Sequence, residues 1–439
     1  MKTLRHSLQP LLIPAAIAHV EGYVRYDAAG NVQLRHPLLE AAAGVESAVI
    51  PTQQQFPCVF ATFMDLSKAL SSQSNSPRSG AGQTLREEFD AEFADYRALV
   101  EAAEAAGQWE PDYGSYVFDH VAGHLFLIAP ERWHRVALTT STGTLLQDAT
   151  RAASWHEVRS RLGDASVGVI GASVGSNVIE SVARELRPRR MKVADPDWVE
   201  LNNCNRLERA SLAQLVQPRS SRSSPISALE MLRYNKAEVA AYLQQRVDPY
   251  AEYYVYPEGL DDRNLDRFLL GDGDEPALDL VIEEADDLEL KYRIRERCRE
   301  LRIPVMMMTD FGHQAILHFQ DFRRDPQLRL GFSCSDEQCK QLLVRAVTSG
   351  NREHVFEFIR AFVGPECVRG EFADWVGGAG EQPTSSLPQS GATAMISGGI
   401  AGKCAALHLL GHELPARAIY DFSSHALSVD RHAALEAGS

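Results

Sequence analysis

The sequence predicts an α/β fold, a parallel sheet covered by helices, and two observations carry that prediction. Ser166–Arg206 reads as strand, glycine turn, helix, strand and then a polar, acidic run. Further along, the short apolar runs Leu278–Ile282 and Ile303–Met308 each lead into acidic residues. Apolar runs of this length, bounded by turn residues, suit strands buried on both faces.

In the first stretch, Val167, Val169 and Ile170 end at Gly171. Gly171 and Gly175 frame a turn, with Ser173 between them, where a missing Cβ lets the backbone approach a ligand. Ser176 or Asn177 is expected to open the next helix, whose Val178, Ile179, Val182 and Leu186 fall on one stripe. Arg187-Pro188-Arg189 ends it, Met191, Val193 and Ala194 form the second strand, and Asp195 stands at its tip. A glycine turn at a helix N-terminus holds phosphates through free N–H groups, and an acid roughly 20 residues on is placed for ribose hydroxyls. The turn lacks the full G-x-G-x-x-G, because Ser173 and Ser176 stand where glycines would. It also satisfies the G-x-S-x-G elbow of α/β-hydrolases, but that reading gives Asp195 and the polar run no role.

Three further blocks follow in order: D-P-D-W-V-E-L-N-N-C-N-R at Asp195–Arg206, N-K-A-E-V-A at Asn235–Ala240, and D-L-V-I-E-E-A-D-D-L-E-L-K at Asp279–Lys291. With the turn, they resemble the E1-like (ThiF/MoeB/HesA) adenylyltransferases from about Trp155 to His425. The G-x-S-V-G turn and the run E-x-D-D-L-x-x-K are similar to an offshoot group of that family. The resemblance implies a Rossmann-like nucleotide-binding domain that takes ATP and Mg²⁺. Gly171, Ser173, Gly175, Asp195 and Asp197 would hold the nucleotide, with Asp195 on the ribose. Asn203, Arg206 and Lys236 match the groups around the triphosphate, and Asp286 the magnesium-linked aspartate, with Asp287 either the alternative for that role or the cap of the helix Leu288–Leu301. Arg206, Lys236 and Asp286 are the implied catalytic set. The implied chemistry is attack of a carboxylate on ATP, giving an acyl adenylate that passes to an amine, thiol or sulfide. The carboxylate could belong to a ubiquitin-like protein, a peptide or a small molecule. A homodimer is also implied. The family's R-x-x-R-Q element is missing between His134 and Gln147, where Arg135 is the strongest candidate and a surface arginine the plain alternative.

The 439 residues divide into three expected parts. Residues 1–150 form an N-terminal α/β region serving substrate or partner selection, or packing. Residues 151–345 form the nucleotide-binding core, and residues 346–439 supply a crossover loop, a helix and a closing strand. A net charge of −15 argues against nucleic acid or an anionic membrane as partner. Seven scattered cysteines suit a reduced, cytoplasmic protein. Lys2, Arg5 and His6 before LLIPAAIA mimic a signal peptide, but the run is short and broken by Pro14. No other stretch approaches the roughly 20 apolar residues of a membrane span. In the N-terminal part, Tyr23–Tyr26 and Val32–Leu34 read as a hairpin, and Val59–Met64, Tyr116–Phe118 and His124–Ile128 as strands. Ser71–Gly82 reads as a loop, and a helix is expected from Thr84 to Gly107.

In the core, Gln217–Ser227 reads as a mobile loop, either a lid or decoration. Lys291, Arg293, Arg295 and Arg297 read as a solvated helix face. Asp310 and His313 follow the Ile303–Met308 strand, positioned either to touch substrate or to cap, and Ala315–Phe319 reads as a returning strand. Cys334 and Cys339 lack a second pair, which speaks against a zinc knuckle. Cys334 and Cys367 are thioester candidates by position, with an inert thiol as the alternative for each. Gly350–Val363 and Ala392–Leu410 read as helices, Trp375–Gly391 as a crossover loop, Ala418–Ser423 as the strand closing the sheet, and the tail after Val429 as frayed. Two other functional classes stay open: a non-catalytic E1-like recognition module, and a nicotinamide- or flavin-linked oxidoreductase.

Overall fold

The structure, a computed structural model, describes residues 131–150, 154–207, 235–273, 275–368 and 389–430, together with the backbone of six short strands before them. Strands β1 (Val24–Tyr26), β2 (Val32–Leu34) and β3 (Ala48–Ile50) form one antiparallel sheet. Strands β4 (Val59–Thr62), β5 (Ser115–Asp119) and β6 (His124–Ile128) form another. The expected hairpin is β1–β2. The Ser71–Gly82 loop, the helix from Thr84, the Gln217–Ser227 loop and most of the crossover loop lie outside the described residues.

Helices α1 (Glu131–Thr150) and α2 (Trp155–Asp164) lead into β7 (Ser166–Ile170). Then come α3 (Gly175–Leu186), β8 (Arg190–Ala194), α4 (Lys236–Gln245), β9 (Glu252–Tyr256) and α5 (Leu265–Leu270). The next elements are β10 (Leu280–Glu283), α6 (Leu288–Leu301), β11 (Val305–Phe311) and β12 (Gln314–Gln320). The chain continues through α7 (Asp336–Ser349), α8 (Arg352–Val363), α9 (Gly391–Leu409), β13 (Arg417–Asp421) and β14 (Ala426–Asp430).

These strands make one eight-stranded sheet in the order β14-β13-β12-β11-β10-β7-β8-β9. From β11 to β9 all pairings are parallel, and β12 to β14 add an antiparallel meander. The chain starts in the middle at β7, runs outward to β9, and returns to the other side of β7 as β10. That reversal opens a crevice beyond the C-terminal ends of β7 and β10, where open α/β sheets bind ligands. All five β7 residues are buried, which suits its apolar Val167, Val169 and Ile170. On one face Val167 and Val169 pack with Val178 and Val182 of α3 and Ala401 and Ala405 of α9. On the other, Ile170 and Val281 pack with Phe268, Ile294 and Phe358. Helices α3 and α9 touch backbone to backbone. A Cβ on Gly398 would lie 2.5 Å from the Asn177 carbonyl oxygen, so the small residues of α9 are a requirement of packing.

Several expectations need correction. Helix α3 begins at Gly175, and its N-cap Val174 offers no side-chain bond, so neither Ser176 nor Asn177 opens it. Instead the Ser176 hydroxyl bonds the Ser173 carbonyl, and the Asn177 amide bonds the Arg206 carbonyl. The Ala418–Ser423 strand does not close the sheet, because β14 pairs outside it through Asp430. Helix α7 was not expected at all. A capping box between Ser335 and Gln338 starts it, a signal present in the sequence. The basic stripe on α6 is only partly solvated. Arg295 is 2% exposed, and its Nη1 donates to Glu283 Oε2 at 2.6 Å, while Lys291 Nζ holds Oε1 of the same carboxylate at 2.7 Å. Burial pushes the Glu283 carboxyl up, but the two cations more than reverse this and leave it below its ordinary value. The Arg295 guanidinium also lies 4.6 Å from the centre of the Phe362 ring. Removing one partner of a buried ion pair strands the other's charge. Arg295→Ala should therefore lower the unfolding free energy by about 3 kcal/mol, read from urea denaturation. An unchanged midpoint would contradict the role assigned to this pair.

Candidate active site

Gly171 leaves β7 with φ +91°, and a Cβ there would lie 2.6 Å from the Glu284 carbonyl oxygen. The turn thus packs directly on the backbone after β10, as only glycine allows. Its shape is fixed by Asp195 at the tip of β8. Asp195 Oδ2 accepts the Ala172 N–H at 2.6 Å, and Oδ1 accepts the Asp197 N–H at 2.8 Å. The carboxylate is 5% exposed, and burial raises its pKa despite Lys236 and these two bonds. An ionised carboxylate offers about four lone-pair sites, so capacity for ribose hydroxyls remains.

Asn235, quoted in the N-K-A-E-V-A block without a role, ties the region together. Its Nδ2 donates to the carbonyls of Asp195 at 2.9 Å, Pro257 at 3.1 Å and Asp197 at 3.3 Å. Its Oδ1 caps α4 by accepting the Glu238 N–H at 3.1 Å. Lys236 is therefore placed in the first turn of α4, 6% exposed, with Nζ 2.9 Å from Oδ2 of the exposed Asp197.

Past Asp197, residues Leu201–Asn205 form a 3-10 turn closed by a capping box between Glu200 and Asn203. Asn203 is 2% exposed, accepting the Glu200 N–H at 2.9 Å and donating to Asn202 Oδ1 at 2.9 Å. The turn aims Arg206 back at the glycine turn. Its Nε donates to Ser173 Oγ at 3.0 Å, and its Nη1 to the Asn202 carbonyl at 2.8 Å. A guanidinium cannot act as a base, so this partner does not activate Ser173 as a hydrolase nucleophile. No side chain caps α3, whose Ser176 and Asn177 N–H groups bond the Ser173 and Val174 carbonyls at 3.3 and 3.0 Å, and the positive end of the helix dipole lies beside Arg206.

Across the crevice, Asp287 caps α6 by accepting the Leu290 N–H at 3.0 Å, while Asp286 stands exposed at the mouth. The crevice walls raise the Asp286 pKa by desolvation, and the charges of Lys291, Lys236 and Arg206 oppose the rise. Desolvation likewise lowers the Arg206 pKa, against the pull of Asp286 and Asp310. Asp310 lies inside β11 rather than beyond it, 6% exposed, with Oδ2 lacking a hydrogen-bond partner. His313 is exposed past the strand end. Glu284 Oε1 is also buried without a hydrogen-bond partner. A single exposed carboxylate beside phosphate-binding groups suits Mg²⁺, which keeps several waters and takes one or two protein oxygens. Asp286 fits that description, and among the described residues no group of three His, Cys, Asp or Glu could cage an ion.

The structure thus brings Gly171, Ser173, Gly175, Asp195, Asp197, Asn203, Arg206, Lys236 and Asp286 to one end of the sheet. It does not bring Arg135 there. Arg135 is 6% exposed, its Nη1 donates to the Arg187 carbonyl at 2.8 Å, and its Nη2 lies 3.4 Å from Asp248. Arg187 follows the C-terminal end of α3, opposite the crevice, so Arg135 is neither a phosphate ligand of this crevice nor a surface arginine. Cys334 and Cys367 are 4% and 1% exposed and sit in the core around α7 and α8, inaccessible to an acyl group.

The ThiF family model matches residues 150–415, and the chain belongs to the ThiF family. A Mycobacterium tuberculosis (strain CDC 1551 / Oshkosh) protein, "Uncharacterized protein MT1398", is 32% identical over 143 residues, which are 33% of this chain and 17% of that protein. The chain thus spans about a sixth of the curated relative it matches. Among solved structures, it is similar to E. coli MccB crystallised with AMPCPP and MccA, at 11% identity and a TM-score of 0.47, covering 95% of this chain and 97% of that one. It is similar to PaaA at 14% identity and 0.45, covering 67% and 82%. It is also similar to E. coli tRNA N6-threonylcarbamoyladenosine dehydratase, TcdA, at 15% identity and 0.37, covering 64% and 96%.

Burial pushes Asp310 up to about 6, partly offset by its own backbone N–H and by Arg206, and reinforced by Asp286. A carboxyl raised in the folded state contributes stability that is full below its unfolded pKa of 3.8 and lost as pH rises to about 6. Asp310→Asn should remove that decline. The variant should be roughly 1–3 kcal/mol more stable than wild type at about pH 7.5, an advantage absent at about pH 4, by urea denaturation. Parallel stability curves would show that Asp310 ionises freely in the fold.

Proposed function

We propose that this chain adenylates a carboxylate with ATP, giving an acyl adenylate and pyrophosphate. The observation that carries the reading is the convergence of Arg206, Lys236 and Asp286 on the uncapped start of α3. Unlike charges close enough to shift one another's ionisation line the crevice between β7 and β10. A buried lysine, a half-buried arginine and the positive end of α3 suit the charge of a triphosphate. Asp195 would take ribose hydroxyls, and the Gly171–Gly175 turn lets the backbone approach the phosphates. Asp286 would hold Mg²⁺, which supplies charge neutralisation on the phosphates when bound. The chain's part in catalysis is positioning, with Arg206 and Lys236 stabilising charge that moves onto the leaving pyrophosphate.

The carboxylate belongs to a peptide, a ubiquitin-like protein or a small molecule, and a homodimer and a cytoplasmic location go with the reading. Among the described residues no helix is long and apolar enough to cross a membrane. A non-catalytic recognition module has one observation on its side: Asn203, matched to the family's nucleotide set, spends its side chain inside the 3-10 turn.

Calorimetric titration of ATP, with and without Mg²⁺, against NAD⁺ and NADH decides among the classes. Magnesium-dependent ATP binding is expected, weakened at least about tenfold by Asp286→Ala and by Arg206→Ala. Pyrophosphate release on adding a carboxylate panel would follow. Binding of NAD(H) alone would replace adenylation with redox chemistry, and no nucleotide binding would favour the recognition module.

A further inference from the structure

Beyond the nucleotide half, the crevice continues as a cavity that the mechanism above leaves unused. It opens beside Ser173 and Asp286 and runs inward between β10, β11 and α8. Glu284 and Asp310 line one side, and Phe358 and Phe362 of α8 line the other. The polar side is acidic and unsatisfied. Glu284 Oε1 and Asp310 Oδ2 are both buried with no hydrogen-bond partner. Lys291 also lines the cavity, but its ammonium is committed to Glu283 Oε1 at 2.7 Å. Burial, with Asp310 and Glu283 nearby, raises the Glu284 carboxyl well above its ordinary range, so Asp310 is the charged group left short of a donor, and a buried carboxylate oxygen without one points to a ligand that supplies it.

We propose that this cavity is the subsite for the acyl acceptor, and that the acceptor is a primary amine carried on an apolar or aromatic chain. The inference rests on the adenylation reading and extends it, since that reading leaves amine, thiol and sulfide open. An ammonium can give a charge-assisted bond, the strong kind, to the Asp310 carboxylate and still offer donors to Glu284 Oε1. Phe358 and Phe362 make the α8 part of the lining apolar, which suits an apolar or aromatic chain. A thiol or sulfide would leave both oxygens unpaired. In the transfer step the ammonium first gives a proton to the Asp310 carboxylate, the freed nitrogen lone pair attacks the acyl carbon, the carbon–oxygen bond to AMP breaks, and AMP leaves with that electron pair. Going from ammonium to amide the nitrogen sheds two protons, one to the Asp310 carboxylate and one to water.

Calorimetric titration of phenethylamine into the full chain, without ATP, tests the subsite. Saturable binding is expected, at least about tenfold weaker for 2-phenylethanol and at least about tenfold weaker for phenethylamine on Asp310→Asn. Equal binding of amine and alcohol, unchanged affinity in Asp310→Asn, or no binding of the amine would overturn it. Omitting ATP keeps the two readings apart. Amine-selective binding in a chain that ignores ATP would sink adenylation and keep the amine site, and ATP binding without amine selectivity would sink the amine site alone.

Discussion

Two backbone N–H groups on one buried carboxylate set the shape of the whole crevice. Asp195 holds Ala172 of the glycine turn and Asp197 of the acidic loop at once. Strand β8 thereby dictates where the turn after β7 lies, and the turn in turn rests against Glu284 after β10. Asn235 extends the same clamp to α4 and to the end of β9. The ends of four strands and one helix are thus fixed relative to one another before any ligand arrives. Donors held in place beforehand need no reorganisation when charge develops, which is the usual source of catalytic advantage in phosphate chemistry.

A second buried carboxylate does comparable work on the far wall. Glu283 ends β10 in a fully buried position, an expensive place for a charge unless it is paired. Lys291 and Arg295, one turn apart on α6, both reach it, and Ala285 N–H adds a bond at 2.7 Å. The helix is thereby pinned against the strand end from which Glu284 and Asp286 project. Two cations on one anion also leave the wall with an excess of positive charge beside Glu284, Asp286 and Asp310. That balance lets three acids share a small volume.

The parts legible from sequence were those whose signal is local. The strand–turn–helix at Ser166, the N-x-x-R and lysine blocks and the cap at Asp287 depend on neighbours a few residues away. What escaped depends on partners far along the chain. Arg295 looked like one member of a basic stripe, because its acidic partner Glu283 belongs to a strand that had been read as apolar. Arg135 looked like a surface or phosphate arginine, because its partners Arg187 and Asp248 lie beyond any local window. Asp310 was placed after its strand because polar residues usually end strands. Here β11 carries it into the crevice, paired in register with Ala315 of β12. Helix α7 did announce itself through Ser335 and Gln338, but the cysteines around them drew the reading toward metal and thioester chemistry.

The structural uses of Asp195 and Asn203 bear on how the labour at the site is divided. Asp195 spends one backbone bond per oxygen and keeps lone pairs in reserve, so it can shape the turn and still meet a ribose. Asn203, 2% exposed, commits one lone pair and one N–H within the 3-10 turn. Its contribution is therefore indirect: it fixes the turn that presents Arg206. Arg206 spends Nε on Ser173 and Nη1 on Asn202, so the guanidinium is oriented over the start of α3 and need not be ordered by the ligand. A planar fork held in place loses little side-chain entropy on meeting a phosphate. Within the N-x-x-R block, then, the asparagine gives geometry and the arginine gives charge. That division gives Asn203 a structural part in the block that presents Arg206.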